Sequence, residues 1–209
     1  MKTERNLVCC TVVAGIALAS AAADFTTGMS LSATNAEATR TIRVPTRPPD
    51  VIYVPTPQRA VDQMLEAAEI KSGDVVYDLG CGDGRIVVTA AKKYGVKAVG
   101  FDIDPQRVAE SNENVRTNNV EKLVTIEEKD IFTVDLSKAD VVTLYLLPSL
   151  NVKLIPQLEK MKPGSRIVSH SFDMAGIKPD RIIRDGSTVI YKWSTPLKRE
   201  EKKQNANTQ

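Results

Sequence analysis

The sequence is poor in the residues on which much enzyme chemistry depends. It holds one histidine, three cysteines and one tryptophan among 209 residues, and aromatics make up only 5%. Cys9 and Cys10 lie in an N-terminal apolar run, so removing that run would leave Cys81 alone, with no intramolecular disulfide. With the N-terminal apolar run removed, one histidine and one cysteine cannot supply a typical zinc site, and no Ser-His-Asp arrangement is evident. An excess of one charge is lacking too. Lys and Arg number 28 against 26 Asp and Glu, a net charge of +2 that is too mild to point to nucleic acid without a clustered basic face. No internal repeat is seen.

What is present divides the chain into unlike parts. Lys2 and Arg5 precede an uncharged apolar run from Leu7 to Ala19, followed by Ser20-Ala21-Ala22-Ala23. Residues 1–23 read either as a secretory signal peptide, cleaved after Ala21 or Ala23, or as an uncleaved membrane anchor, since residues 7–23 reach the lower span limit of roughly 17 residues. Residues 24–50, rich in Thr, Ser, Ala and Pro with little periodic hydrophobicity, read as a flexible linker. A single domain is expected over 51–197, and a disordered polar tail over 198–209.

Within the domain, Thr56-Pro57 predicts an N-cap and first helical residue, and Val61, Met64, Leu65 and Ala68 recur at helical spacing. From Asp74 onward strand and helix alternate, which predicts a parallel sheet with crossover helices on both faces. Strands are expected up to Asp78, at 98–101, 123–126, 141–145 and 166–169, and Asp185-Gly186 predicts a closing hairpin between 181–184 and 188–193. Asp104-Pro105 reads as a helix cap.

The chemistry concentrates in residues 75–88, Val-Val-Tyr-Asp-Leu-Gly-Cys-Gly-Asp-Gly-Arg-Ile-Val-Val. Gly80, Gly82 and Gly84 remove Cβ where the backbone turns sharply between a strand and a helix, letting a ligand approach the main chain. A dinucleotide fingerprint, G-x-G-x-x-G, would need glycine where Arg85 stands. Asp78 would also repel a diphosphate but attract an ammonium. In open α/β sheets ligands bind beyond the carboxyl ends of strands, where Asp78, Asp102 and Asp130 all fall.

The run Asp78-Leu79-Gly80-Cys81-Gly82-Asp83-Gly84 resembles the first motif, D-x-G-x-G-x-G, of the class I S-adenosylmethionine-dependent methyltransferases. The resemblance implies a Rossmann-like α/β fold with a mostly parallel seven-stranded sheet and a C-terminal antiparallel hairpin. It implies S-adenosyl-L-methionine as cofactor. Asp78 and the loop Gly80, Cys81, Gly82, Gly84 would hold its methionine part, Asp102 with Ile103 its ribose, and Asp130 with the Ile131 backbone its adenine. A carboxylate can accept both donors of a vicinal diol, which gives the Asp102 role a physical basis.

Two further stretches narrow the likeness. Tyr53-Val54-Pro55 precedes the first helix, and Tyr145-Leu146-Leu147-Pro148 stands where adenine-methylating enzymes carry a polar residue and Pro-Pro-aromatic. Residues 51–178 are similar to the small lysine methyltransferases that modify the ATP synthase c subunit and the adenine nucleotide translocator, and to their prokaryotic relatives. That likeness implies methyl transfer to a protein lysine, with a membrane protein among the acceptors and no nucleic acid. Tyr145 and Tyr53 are expected to line the acceptor channel, His170 to be available as a proton acceptor, and no metal to be held. A small-molecule methyltransferase and a non-catalytic cofactor-binding module are the alternative readings. Residues 1–23 imply export or membrane anchoring, which conflicts with a cofactor made in the cytosol.

Overall fold

The computed structural model describes Pro48, Asp50 and residues 52–201. The expected signal or anchor at 1–23 and nearly all of the linker lie outside the described residues. Among the described residues, no helix is long and apolar enough to cross a membrane.

Seven strands form one sheet: β1 (Val75–Leu79), β2 (Lys97–Asp102), β3 (Val124–Glu128), β4 (Val141–Leu144), β5 (Arg166–His170), β6 (Arg181–Asp185) and β7 (Thr188–Ser194), in spatial order β3-β2-β1-β4-β5-β7-β6. The first five are parallel; β7 runs antiparallel between β5 and β6. Among the described residues, four α-helices cover it: α1 (Gln58–Ala67), α2 (Arg85–Tyr94), α3 (Pro105–Thr117) and α4 (Pro148–Leu158). This is the expected sheet, with its antiparallel hairpin.

The period of two in the strands sorts side chains between two cores. Val76, Val141 and Val168 face a core shared with Met64 and Leu65 of α1 and Val87 and Ala91 of α2. Their neighbours Tyr77, Val142 and Ile167 face the opposite core, with Leu154 and Leu158 of α4. Both faces being covered, the central strands read as continuous apolar runs rather than alternating ones.

Local chemistry shifts a few boundaries. The α1 N-cap is Pro57, with no side-chain cap, because Thr56 is buried and its carbonyl accepts from Arg85 Nη1 at 2.9 Å. α4 starts at Pro148, where a proline suits the first turn. In the hairpin, Asp185 pairs with Thr188, so the two loop residues are Gly186 and Ser187, and Gly186 supplies φ +58°. Lys198, Arg199 and Glu200, which the sequence places in the tail, are tied to the loop after β5. Lys178 N donates to Lys198 O at 2.8 Å, Glu200 N to Gly176 O at 3.0 Å, and Arg199 pairs with Glu159 at 2.5 Å.

Candidate functional site

The strand order reverses between β1 and β4, and a cleft of about 450 Å³ opens there beyond the carboxyl ends of the strands. Its size falls within the roughly 300–1,000 Å³ of small-molecule sites. Asp78, Gly80, Cys81, Asp102, Ile103 and Ile131 line it, with Tyr53, Tyr145, Leu146 and Leu150 on the remaining sides.

The glycine loop is tied down from below. Gly80 N and Cys81 N both donate to Phe101 O of β2, at 2.8 and 2.9 Å. Each glycine serves a different neighbour. At Gly80, φ +80°, an added Cβ would lie 3.1 Å from Leu146 Cδ2. At Gly82 a Cβ would overlap the Tyr53 ring, and at Gly84, φ +77°, it would lie 2.9 Å from Ser111 Oγ of α3. Ser111 Oγ also donates to Gly82 O at 2.7 Å, so α3 holds the loop from behind. Gly82 and Gly84 therefore secure the loop against a strap and a helix, and neither lines the cleft.

Asp78 is 2% exposed. Its Oδ1 accepts from Thr143 Oγ1 at 2.6 Å, while Oδ2 is buried without a hydrogen-bond partner. Burial pushes its pKa up to about 7, with the Asp102 and Asp83 charges adding and the Thr143 hydrogen bond opposing. A buried carboxylate oxygen with nothing to accept is the partner that a ligand ammonium would satisfy. Asp102 accepts from Gly82 N at 2.9 Å on Oδ2 and from Asp104 N at 3.0 Å on Oδ1. Those bonds fix its orientation and leave each oxygen a further lone pair for a donor such as a ribose hydroxyl. Its pKa is also raised, chiefly by burial. The residues present thus fit an amino-acid-bearing nucleoside.

Asp104 and Cys81 also line the cleft, but like Asp130 and His170 they are engaged within the protein. Asp130 caps the short 3-10 turn Ile131–Thr133, accepting from Phe132 N at 3.0 Å, and only its neighbour Ile131 lines the cleft. Asp104 caps α3, accepting from Gln106 N at 2.9 Å. Cys81 is buried against Ser111, and burial pushes its thiol pKa well up, so it is no nucleophile. His170 is 5% exposed and does not line the cleft; burial lowers its pKa, and its ring lies 4.4 Å from that of Tyr145. No group of His, Cys, Asp or Glu among the described residues could hold a metal.

Tyr53 belongs to a strap, residues 52–56, laid across the glycine loop. Arg107 stacks over its ring at 4.8 Å, and its pKa is raised by burial and by the Asp83 charge. Arg85 grips Asp83 with Nε and Nη2, at 2.9 and 2.6 Å, and the Thr56 carbonyl with Nη1. Sequence reasoning missed Arg85, Arg107 and Thr143. Only Thr143 left a signal, a hydroxyl inside the apolar run Val-Val-Thr-Leu-Tyr-Leu.

Comparison with known proteins agrees with this geometry. Residues 78–181 match the model of the ANTKMT methyltransferase domain. A protein-lysine N-methyltransferase of Saccharolobus islandicus is 49% identical over 138 residues, covering 65% of this chain and 86% of that protein. The adenine nucleotide translocase lysine N-methyltransferase of Mus musculus is 31% identical, over 72% of this chain and 66% of its own length. A crystal structure described as an RNA methyltransferase from Salinibacter ruber, in complex with S-adenosyl-L-homocysteine, superposes with a TM-score of 0.68 at 47% identity, covering 71% of this chain and 98% of that one.

Proposed function

This chain is a class I S-adenosylmethionine-dependent methyltransferase of the ANTKMT family, and we propose that it moves the methyl group onto the side-chain amine of a protein lysine. The observation that carries the reading is the pairing of the Asp78–Asp102 cradle with an apolar β4 end, Tyr145-Leu146, in one cleft. S-adenosylmethionine, when bound, supplies an electrophilic methyl on a sulfonium sulfur. Asp78 Oδ2 would hold the ammonium of its amino-acid part, Asp102 the ribose hydroxyls, and Ile103 and Ile131 the flat faces of the base.

Held by Asp78 and Asp102, the cofactor would supply the methyl group to the lysine nitrogen, its sulfur keeping the bonding pair as a neutral sulfide. The amine must therefore arrive unprotonated. Leu146, Leu150 and Ile131 provide a low-dielectric approach that disfavours the ammonium form and lowers its pKa. Tyr145 and Tyr53 line that approach and position the amine. His170 is too enclosed to take the proton directly, and the proton leaves to solvent before the chemical step.

A nucleic-acid acceptor is the second reading, favoured by the description of the Salinibacter ruber protein. Against it stands the β4 end itself, Tyr145-Leu146-Leu147-Pro148, which offers one phenol and otherwise apolar side chains where adenine-methylating enzymes carry a polar residue and Pro-Pro-aromatic. An uncleaved anchor at residues 7–23, the alternative to a cleaved signal, would bring the domain to a membrane, so membrane proteins are included among the acceptors tested. The test is incubation with methyl-labelled cofactor and separate membrane-protein, soluble-protein and RNA fractions, followed by mass spectrometry of the labelled product. Methyl-lysine in a protein fraction supports the proposal; label confined to RNA overturns it.

A further inference from the structure

The turn after β5 adopts a costly backbone conformation beside the cleft. Ser171 has φ +62°, and Phe172 N donates to His170 O at 2.7 Å, closing a three-residue γ-turn of the strained kind. Buried side chains hold it in place. Ser169 Oγ donates to Phe172 O at 2.7 Å, and Asn151 Nδ2 of α4, fully buried, donates to Asp173 O at 3.0 Å. Ser171 N meanwhile keeps its sheet partner, Val189 O, at 2.8 Å.

The consequence of this turn is the placement of two rings. His170 and Phe172, on either side of Ser171, both pack on Tyr145, at centroid distances of 4.4 and 6.1 Å, the Phe172 ring nearly parallel to it at 18°. Tyr145 is the member of the trio that lines the cleft. It stands at the end of β4, whereas the carboxylates that fit the cofactor stand at the ends of β1 and β2. The β4 side is thus the wall left for the acceptor.

His170 contributes no hydrogen bond through Nδ1, which is buried without a partner, and burial lowers its pKa. A buried imidazole kept for its polarity would have that nitrogen satisfied. Its shape and ring face are what the site uses. We infer that His170 and Phe172 are positioning residues that hold Tyr145 in one orientation at the acceptor end of the cleft, and that the Ser171 turn exists to deliver them. The inference rests on the methyl-transfer reading but not on which acceptor is used. With Tyr145 fixed, its phenol and ring face meet the incoming amine without the entropy of ordering a free side chain.

An acceptor-independent probe separates the two ideas. Sinefungin carries a primary amine where the cofactor carries its methyl group, so it tests the transfer end, whereas S-adenosylhomocysteine has nothing there. Calorimetric titration of both ligands into the full chain and into H170A, H170F, F172A and F172L, each checked for a cooperative thermal transition, is the experiment. His170→Ala and Phe172→Ala should weaken sinefungin about tenfold while leaving S-adenosylhomocysteine unchanged. His170→Phe, which keeps a ring and discards both nitrogens, should restore sinefungin binding; Phe172→Leu, which keeps bulk without a ring, should restore it only in part. Equal loss of both ligands, no loss of either, or an H170F protein as weak as H170A overturns the inference. Failure of the lysine reading shows separately, as wild-type protein that binds both ligands and labels no lysine.

Discussion

Asp78 carries two opposed demands on one side chain. It is buried for binding, and burial opposes its charge. Its folded pKa, about 7, lies above the ordinary value of 3.8. The carboxyl therefore supports folding fully below the unfolded value, and that support is lost as pH rises through about 7. Asp78→Asn removes the charge and can still meet Thr143. Its thermal midpoint should overtake that of wild type between pH 5 and pH 8, while S-adenosylhomocysteine binding disappears; melts at the two pH values with an unchanged gap would refute the assignment. Asp102→Ala should cost more than tenfold in cofactor affinity, by loss of a charged acceptor worth about 1.5–3 kcal/mol. Calorimetry reads this directly. Because Asp102 also holds Gly82 N, the variant should melt somewhat earlier as well.

At the scale of elements, the strap and the γ-turn are the two devices that shape the cleft. Arg85 opens α2 yet reaches back to the Thr56 carbonyl and forward to Asp83, so one guanidinium ties the strap to the glycine loop. A lysine cannot reproduce that fork. Arg85→Lys and Arg85→Ala should both raise the KM for the cofactor, by about tenfold for the loss of two charge-assisted bonds, with a smaller effect on kcat. A proportionate fall in kcat would place Arg85 in the chemical step. Ser171→Gly relieves the positive φ and should raise stability by about 1 kcal/mol, measured by denaturant midpoint. No gain would mean that the Ser171 conformation is unstrained.

At the scale of the whole molecule, the last described residues help close the fold. Lys198, Arg199 and Glu200 reach the loop after β5 and the end of α4, near where Trp193 Nε1 donates to Ile177 O at 3.2 Å. A chain ended at Leu197 loses two backbone hydrogen bonds and two exposed ion pairs, Lys198–Asp180 and Arg199–Glu159. It should be less stable than one ended at Glu201 by about 1–3 kcal/mol, whereas removing 202–209 from the full chain should change less. Equal melting of the two shortened chains would show that the strand-like pairing contributes nothing.

Much of this was legible in the sequence because local rules and the tertiary fold ask for the same residues. Apolar runs of strand length, the Asp78-to-Gly84 motif, the Asp104-Pro105 cap and the closing hairpin each have a short-range physical cause, and each stands where the sequence placed it. The class of fold followed from these, and the cofactor from the family resemblance that the Asp78-to-Gly84 motif carries. Tyr53 and Tyr145 were expected at the acceptor channel; how the site holds its residues was not legible. The parts of the cleft and its supports, Tyr53, Arg85, Arg107, Thr143, Tyr145, His170 and Phe172, come from five separate stretches, and nothing in their spacing encodes that they meet. Only the tertiary structure decided that Gly82 makes room for a tyrosine ring rather than for the cofactor, and that His170 faces Tyr145 rather than the cleft. Side-chain packing across strands is set by the sheet's register and the helices that cover it, which no local stretch of chain contains.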